Sequence, residues 1–184
     1  IDKVFVVACG TAYHSGLLAK YAIEHWTRLP VEVELASEFR YRDPVLDSHT
    51  LVVAISQSGE TADTLEAVRH AKDQKAKVLA ICNTNGSQIP RECDAVLYTR
   101  AGLEIGVAAT KTHTAQVMAL SLLAVKLGRL KWALTAAGAL DLADELRRIP
   151  DALEAYLSSP APERVMEAAT RYAERPFFLY LGRH

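Results

Sequence analysis

The chain has 184 residues, of which half are hydrophobic and 23% charged, with a formal net charge of −1. This length fits one domain, or one domain and part of another, with enough apolar residues for a sizeable core. The near-neutral charge argues against a nucleic-acid partner, and no apolar run is long enough to span a membrane. The first residues do not resemble a signal peptide, and the three cysteines fit neither a disulfide framework nor a metal site. We therefore expect a reduced, cytoplasmic protein.

Apolar strand-like runs alternate with helical patterns in the first 130 residues, which is typical of βαβ units. The predicted strands are 4–8, 31–35, 51–55, 78–82 and 95–98. The predicted helical segments are 13–29, a short turn at 37–40, 60–73 and 110–127, with a turn cluster at 83–87. Because parallel strands need right-handed crossovers, we predict an α/β fold with a doubly wound, five-stranded parallel sheet flanked by helices.

After Gly128 the pattern changes to amphipathic helices at 134–149, 151–157 and 163–173. An apolar run follows at 176–184 and reaches a glycine, much as the run 4–10 does. We therefore expect a first domain at 1–130, a helical connector at 131–175, and the opening strand of a second, truncated subdomain at 176–184. The alternative is that this last segment is a genuine C-terminal edge strand.

Two loops follow predicted strands, at 10–12 and at 56–61, and ligands of doubly wound sheets bind at the carboxyl ends of strands. The second loop reads Ser-Gln-Ser-Gly-Glu-Thr and leads into a helix. Its hydroxyls and the helix N-terminus can direct O–H and N–H donors at an anion, and it contains no lysine or arginine. This pattern predicts a site for a small phosphorylated metabolite held by neutral donors. A simpler interpretation stays open, with Ser58 as an N-cap, Glu60 as a first-turn acid and Thr61 as an exposed residue.

Several common chemical motifs are missing. The turn 10–16 lacks the glycine spacing of a dinucleotide site, and the chain has no phosphate-binding P-loop motif. The histidines have no cysteine or carboxylate at ligand spacing, and neither Ser56 nor Ser58 has an adjacent histidine to activate it. We expect no cofactor and no metal, and we interpret the two serines as binding residues.

Five segments together resemble the isomerase part of the glutamine–fructose-6-phosphate aminotransferase family: 9–11, 36–41, 56–64, 80–83 and 104–111. The Ser-Gln-Ser-Gly-Glu-Thr loop alone is similar to the sugar isomerase (SIS) domain in general. The sequences Ala-Ser-Glu-Phe-Arg-Tyr and Glu-Ile-Gly-Val-Ala make the resemblance specific to this family. It extends over the whole chain and implies a flavodoxin-like SIS fold.

The resemblance also implies which residues bind the substrate. The phosphate would be held by Ser56, Ser58 and Thr61, and Gln57 would reach the phosphate or the sugar. The turn at Thr11 would contribute as well. The family commonly has serine at the next position, where this chain has Ala12, so only the backbone N–H could serve there. Val107 would offer a backbone contact to the sugar.

By the same resemblance, the full enzyme converts fructose 6-phosphate and glutamine to glucosamine 6-phosphate and glutamate. Its catalytic groups belong to a second SIS subdomain, the C-terminal tail and a glutaminase domain, so we expect this chain alone to bind weakly and catalyse nothing. The implied partners are these further domains and a second copy in a homodimer. The alternatives are a sugar-phosphate sensor module, another aldose–ketose phosphate isomerase, or an interaction domain that uses the helix at 110–127.

Overall fold

The computed structural model describes residues 1–182. The chain forms two compact units, Ile1–Ala143 and a second that begins at Asp144. The first unit contains a parallel sheet of five strands in the order β2-β1-β3-β4-β5. The strands are β1 (Lys3–Ala8), β2 (Val31–Leu35), β3 (Thr50–Ser56), β4 (Lys77–Cys82) and β5 (Ala95–Tyr98). The predicted α/β fold is confirmed, and each predicted strand is found to within one residue at either end.

The helices of the first unit alternate with these strands. They are α1 (Gly10–Thr27), α2 (Ala36–Arg42), α3 (Ala62–Asp73), α4 (Gln88–Glu92) and α5 (Lys111–Leu130). Three more follow: α6 (Ala136–Arg147), which crosses the boundary between the units, α7 (Ile149–Leu157) and α8 (Ala161–Tyr172). The sequence analysis missed α4, because five residues around a proline show no helical periodicity.

Both faces of the central strands β1, β3 and β4 are buried, which is why these strands are nearly continuous apolar runs. The edge strands β2 and β5 are only partly buried. Successive side chains of β1 point to opposite faces. Phe5 and Val7 pack in a core with Phe39 of α2 and Val68 of α3. Val4 and Val6 belong to the other core, which is shared with α1 and α5 through residues such as Ile23 and Leu120. Helices therefore cover the sheet on both sides, as a doubly wound fold requires.

The strand order places a topological switch point between β1 and β3. Ala8 at the end of β1 is in register with Leu35 of β2 on one side and with Ile55 of β3 on the other. The chain runs from β1 outwards to β2, and from β3 outwards in the opposite direction to β4 and β5. Connections that leave β1 and β3 therefore diverge, and a crevice forms outside their carboxyl ends.

The segment after α5 differs in part from expectation. Lys131 Nζ donates a hydrogen bond to the Ile1 carbonyl at 3.0 Å, and the first compact unit includes the residues up to Ala143. Residues 176–182 form no strand, because no described segment pairs with them, and Arg183 and His184 lie outside the described residues. The division into a connector and a second subdomain therefore stays a prediction. No helix within residues 1–182 is long and apolar enough to cross a membrane.

Candidate functional site

A cavity of about 230 Å³ lies at the switch point between β1 and β3. It is lined by two turns that lie far apart along the chain, one after β1 and one after β3. The seven residues that the sequence analysis selected all line this cavity: Thr11, Ala12, Ser56, Gln57, Ser58, Thr61 and Val107. The structure therefore brings the selected residues together, and their role in binding stays a prediction.

The hydroxyl groups of the β3–α3 loop are oriented by the loop's own backbone. The buried Ser56 Oγ accepts a hydrogen bond from the Gly59 N–H at 2.9 Å and lies 3.1 Å from Thr61 Oγ1. Ser58 Oγ accepts from the Glu60 N–H at 3.2 Å. In both serines the oxygen is the acceptor, so the O–H is not consumed by these backbone bonds. One of the Ser56 and Thr61 hydroxyls donates to the other, so the loop fixes the oxygens and leaves the Ser58 proton and one of these two hydroxyl protons for a ligand.

Gly59 is required by the shape of this loop. Its φ is +71°, and a Cβ there would lie 1.9 Å from Ser87 Oγ and 2.8 Å from Cys82 Sγ. The Gly59 carbonyl also accepts from the Ile89 N–H at 2.9 Å, which holds the loop against the start of α4. Only a residue without a side chain allows this close approach.

Two helices begin at the cavity without a side-chain cap. The N-cap positions of α1 and α3 are Cys9 and Thr61, and neither side chain makes a capping hydrogen bond. The first-turn N–H groups at these positions are the ones that a helix cannot satisfy internally. They and the two helix dipoles are available to an anion in the cavity.

Carboxylates occupy the N-terminal ends of the next two helices instead. Glu60 Oε1 accepts from the Gln88 N–H of α4 at 2.9 Å. Glu104 Oε1 accepts from the Thr110 and Lys111 N–H groups, at 3.0 and 3.1 Å, where α5 begins. The simpler interpretation of the loop is therefore wrong on two points: Thr61 and not Ser58 stands at the N-cap of α3, and Glu60 serves α4.

The turn after β1 connects the cavity to the segment before α5. Gly10 has a φ of +56°, which turns the chain sharply from β1 into α1. Thr11 Oγ1 accepts from the Ala109 N–H at 3.4 Å. Ala12 is almost fully buried and offers no hydroxyl. Thr11 thus has a neighbour that the sequence analysis did not foresee.

A family model for the SIS domain matches residues 1–126. The chain belongs to the SIS domain family. The similarity to aminotransferases that the motifs indicated is confirmed as well. The glutamine–fructose-6-phosphate aminotransferase [isomerizing] of Mycobacterium tuberculosis is 70% identical over 184 residues, which is 100% of this chain and 29% of that protein. The same-named protein of Streptomyces coelicolor is 59% identical over 100% of this chain and 30% of its own length.

A solved structure is similar over most of the SIS domain and the segment that follows. The C-terminal domain of glucosamine-fructose-6-phosphate aminotransferase from Francisella tularensis is 40% identical, with a TM-score of 0.89, and the match covers 94% of this chain and 49% of that one. This chain spans less than a third of the length of the curated relatives cited above.

The SIS domain also presents residues at the cavity that sequence analysis missed: Cys9, Gly10, Ile55, Ala109 and Gln116. Gln116 is the polar side chain among them, and it is 1% exposed. Its Oε1 accepts from Ser15 Oγ at 3.3 Å. The signal that could have revealed it was a glutamine at helical spacing from the apolar Leu120 and Leu123 of the same helix.

The lining of this cavity contains no lysine, arginine or histidine. Within residues 1–182, no cluster of histidine, cysteine or acidic side chains could hold a metal ion. Cys93 lies outside the cavity lining, and burial raises the pKa of its thiol to about 12, so this cysteine is protonated at neutral pH. An anion in the cavity would meet hydroxyls, backbone N–H groups, amides and helix dipoles.

Proposed function

We propose that this SIS domain binds fructose 6-phosphate as part of a glutamine–fructose-6-phosphate aminotransferase that forms glucosamine 6-phosphate. The observation that carries the proposal is the convergence of Ser56, Gln57, Ser58 and Thr61 with the uncapped starts of α1 and α3 around one cavity. The names of the relatives that match the whole chain support the choice of this sugar phosphate.

The phosphate is the part of the ligand that this cavity suits. A phosphate dianion accepts several hydrogen bonds, and each charge-assisted bond contributes about 1.5–3 kcal/mol. The helix ends add favourable electrostatics without the large desolvation that a buried cation would need. Ser58, Thr61 and the first-turn N–H groups of α3 would form the main cradle.

Holding the phosphate fixes the far end of the sugar. The reacting carbons C1 and C2 are then placed by the length of the sugar against catalytic groups supplied from elsewhere. Val107 and Ala109 stand at another wall of the cavity, where the Val107 backbone would contact the sugar. In this assignment the chain contributes anchoring and contains none of the catalytic groups.

The cavity is smaller than a complete sugar-phosphate site. Its volume of about 230 Å³ is below the roughly 300–1,000 Å³ that is common for small-molecule sites. Its open side would be completed by a second SIS subdomain, and a glutaminase domain would supply ammonia. We include in the proposal a homodimer and a cytoplasmic location, since the enzyme would use soluble metabolites.

A chimeric enzyme tests the proposal. The segment of the Mycobacterium tuberculosis relative that aligns with this chain is replaced by this chain, and folding is checked by circular dichroism and gel filtration. We expect glutamine-dependent formation of glucosamine 6-phosphate, with fructose 6-phosphate binding measured by calorimetry. A folded chimera that does not bind fructose 6-phosphate would overturn the proposal.

The same chimera separates the alternatives. Because the catalytic groups of the chimera come from the relative, ligand preference separates the enzyme alternatives: equal affinity for glucose 6-phosphate and fructose 6-phosphate would favour an aldose–ketose phosphate isomerase. Binding without any turnover would favour a sensor module. Glucose 6-phosphate and inorganic phosphate serve as comparison ligands, because a pure phosphate site would bind all three with similar affinity.

A further inference from the structure

A segment without regular structure, residues 99–110, passes from β5 to α5 along the cavity. Its tip, residues 105–109, carries Val107 and Ala109, which line the cavity. The Val107 side chain is fully exposed, so it is not held by a core. The tip itself is held by one long hydrogen bond, from the Ala109 N–H to Thr11 Oγ1 at 3.4 Å. The polar contacts before and after the tip therefore contribute to its position.

One polar contact fastens the start of the segment to the sheet. Asn83 follows β4, and its Nδ2 donates to the Gly102 carbonyl at 2.8 Å. Its Oδ1 accepts from the Ala101 N–H at 2.8 Å and from Thr99 Oγ1 at 3.0 Å. Both the amide nitrogen and the amide oxygen of the Asn83 side chain thus hold residues 99–102.

The Glu104 carboxylate holds the other end of the segment, where α5 begins. Oε1 accepts from the Thr110 N–H at 3.0 Å, from Thr110 Oγ1 at 2.7 Å and from the Lys111 N–H at 3.1 Å. Oε2 accepts from Thr112 Oγ1, and Thr112 is fully buried. Because Glu104 precedes the tip and its partners follow it, these bonds close the tip into a loop.

We propose that Glu104 is a positioning residue, which closes the tip 105–109 and so places Val107 and Ala109 against the bound sugar phosphate. This proposal rests on the proposed function for the identity of the ligand. Glu104 itself does not line the cavity, and it acts through the backbone of the tip. The Thr112 hydroxyl, followed by the Thr110 hydroxyl and N–H, lowers the pKa of Glu104 to about 2, in agreement with a carboxylate that only accepts.

Glu104 has a second effect that a test must separate from the first. It serves as the missing cap of α5, because the Thr110 side chain at the N-cap makes no capping bond. Loss of Glu104 therefore removes a helix cap as well as the loop closure. A variant that restores only the cap distinguishes the two effects. Thr110→Asp supplies an N-cap carboxylate to α5 from a residue on the far side of the tip.

The experiment compares Glu104→Ala with Glu104→Ala/Thr110→Asp in the chimeric enzyme. We expect the single variant to lose stability and to raise the KM for fructose 6-phosphate about tenfold, the size of losing one backbone hydrogen bond, with a smaller change in kcat. We expect the double variant to recover stability while the raised KM persists. A KM that is unchanged in the single variant, or that recovers together with stability, would overturn the proposal.

A second measurement does not depend on the ligand. Hydrogen exchange of the Ala109 amide, which donates to Thr11 Oγ1, should be faster in both variants than in the wild type, while exchange in β3 stays unchanged. Slow exchange at the tip in Glu104→Ala would also overturn the proposal. If the wild-type chimera fails to bind fructose 6-phosphate, the proposed function fails alone, and the exchange data still decide whether Glu104 closes the tip.

Discussion

Ser56 Oγ and Thr61 Oγ1 lie 3.1 Å apart across the loop that joins β3 to α3. One residue ends the strand and the other stands at the N-cap of the helix. Ser56 also accepts the Gly59 N–H at 2.9 Å, so a single hydroxyl connects three positions of the loop. The loop is therefore built before any ligand arrives, which lowers the entropy cost of binding.

Ser58→Ala should weaken binding with little effect on folding. The side chain contacts only the Glu60 N–H within its loop, and that backbone group can turn to water. Loss of one charge-assisted bond to phosphate, about 1.5–3 kcal/mol, corresponds to a KM for fructose 6-phosphate that is roughly ten- to hundredfold higher. Steady-state kinetics of the chimera provide the measurement. Ser48→Ala, an exposed serine before β3, is the matched control, and an unchanged KM in Ser58→Ala would contradict the assignment.

Ser56→Ala should also lower stability. Ser56 is 2% exposed, and its loss leaves the buried Gly59 N–H without an acceptor, at a cost of about 1–3 kcal/mol. Urea unfolding of the chain should show a lower midpoint with an unchanged slope. Ser58→Ala is the comparison variant here. Equal stability of the two variants would mean that the Ser56 hydroxyl does not support the loop.

Gly59→Ala should be far more disruptive than Gly86→Ala. Both glycines have positive φ, +71° and +73°, so alanine costs about 1–2 kcal/mol at either position. Nothing lies within 4 Å of a Cβ at Gly86, whereas a Cβ at Gly59 would overlap Ser87. We expect a loss of about 2–5 kcal/mol for Gly59→Ala. Similar unfolding free energies for the two variants would contradict the described loop geometry.

Ala12→Ser should tighten phosphate binding. Ala12 lines the cavity at the start of α1, where a hydroxyl would add a donor close to the helix end. A net gain of about 0.5–1.5 kcal/mol corresponds to a dissociation constant roughly two- to tenfold lower. Calorimetric titration with fructose 6-phosphate measures it. Ala12→Cys adds an atom at the same position with a much weaker donor, and equal affinities for the two variants would exclude a hydroxyl contact.

The contribution of Glu104 to stability should depend on pH. Its pKa is lowered from 4.5 to about 2 in the folded chain, so the carboxylate stabilises the fold above about pH 4.5 and ceases to do so as the pH falls towards 2. The difference in unfolding free energy between wild type and Glu104→Gln should therefore shrink over that range. Denaturation at several acid pH values measures the difference. Glu38→Gln, at an exposed position on α2, is the control, and a constant difference for Glu104→Gln would contradict the expectation.

Much of the fold could be predicted from local pattern. The β-branched runs at β1, β3 and β4 are buried on both faces, and this leaves a signal in any short window of the sequence. The short helix α4 left no such signal, and the segment 176–182 has the composition of a strand without a neighbouring strand to pair with.

The sequence by itself determined that two turns end apolar strands, and that the second is rich in hydroxyls. Parallel strands align their carboxyl ends, so the convergence of Thr11 and Ser56 followed from the fold class. Only the tertiary structure decided that Glu60 caps α4, that Glu104 closes the tip at 105–109 and that Gln116 lines the cavity. Each of these contacts depends on the angle and distance at which separate elements pack. Those quantities are set by the shapes of buried side chains throughout the core, and no local pattern encodes them.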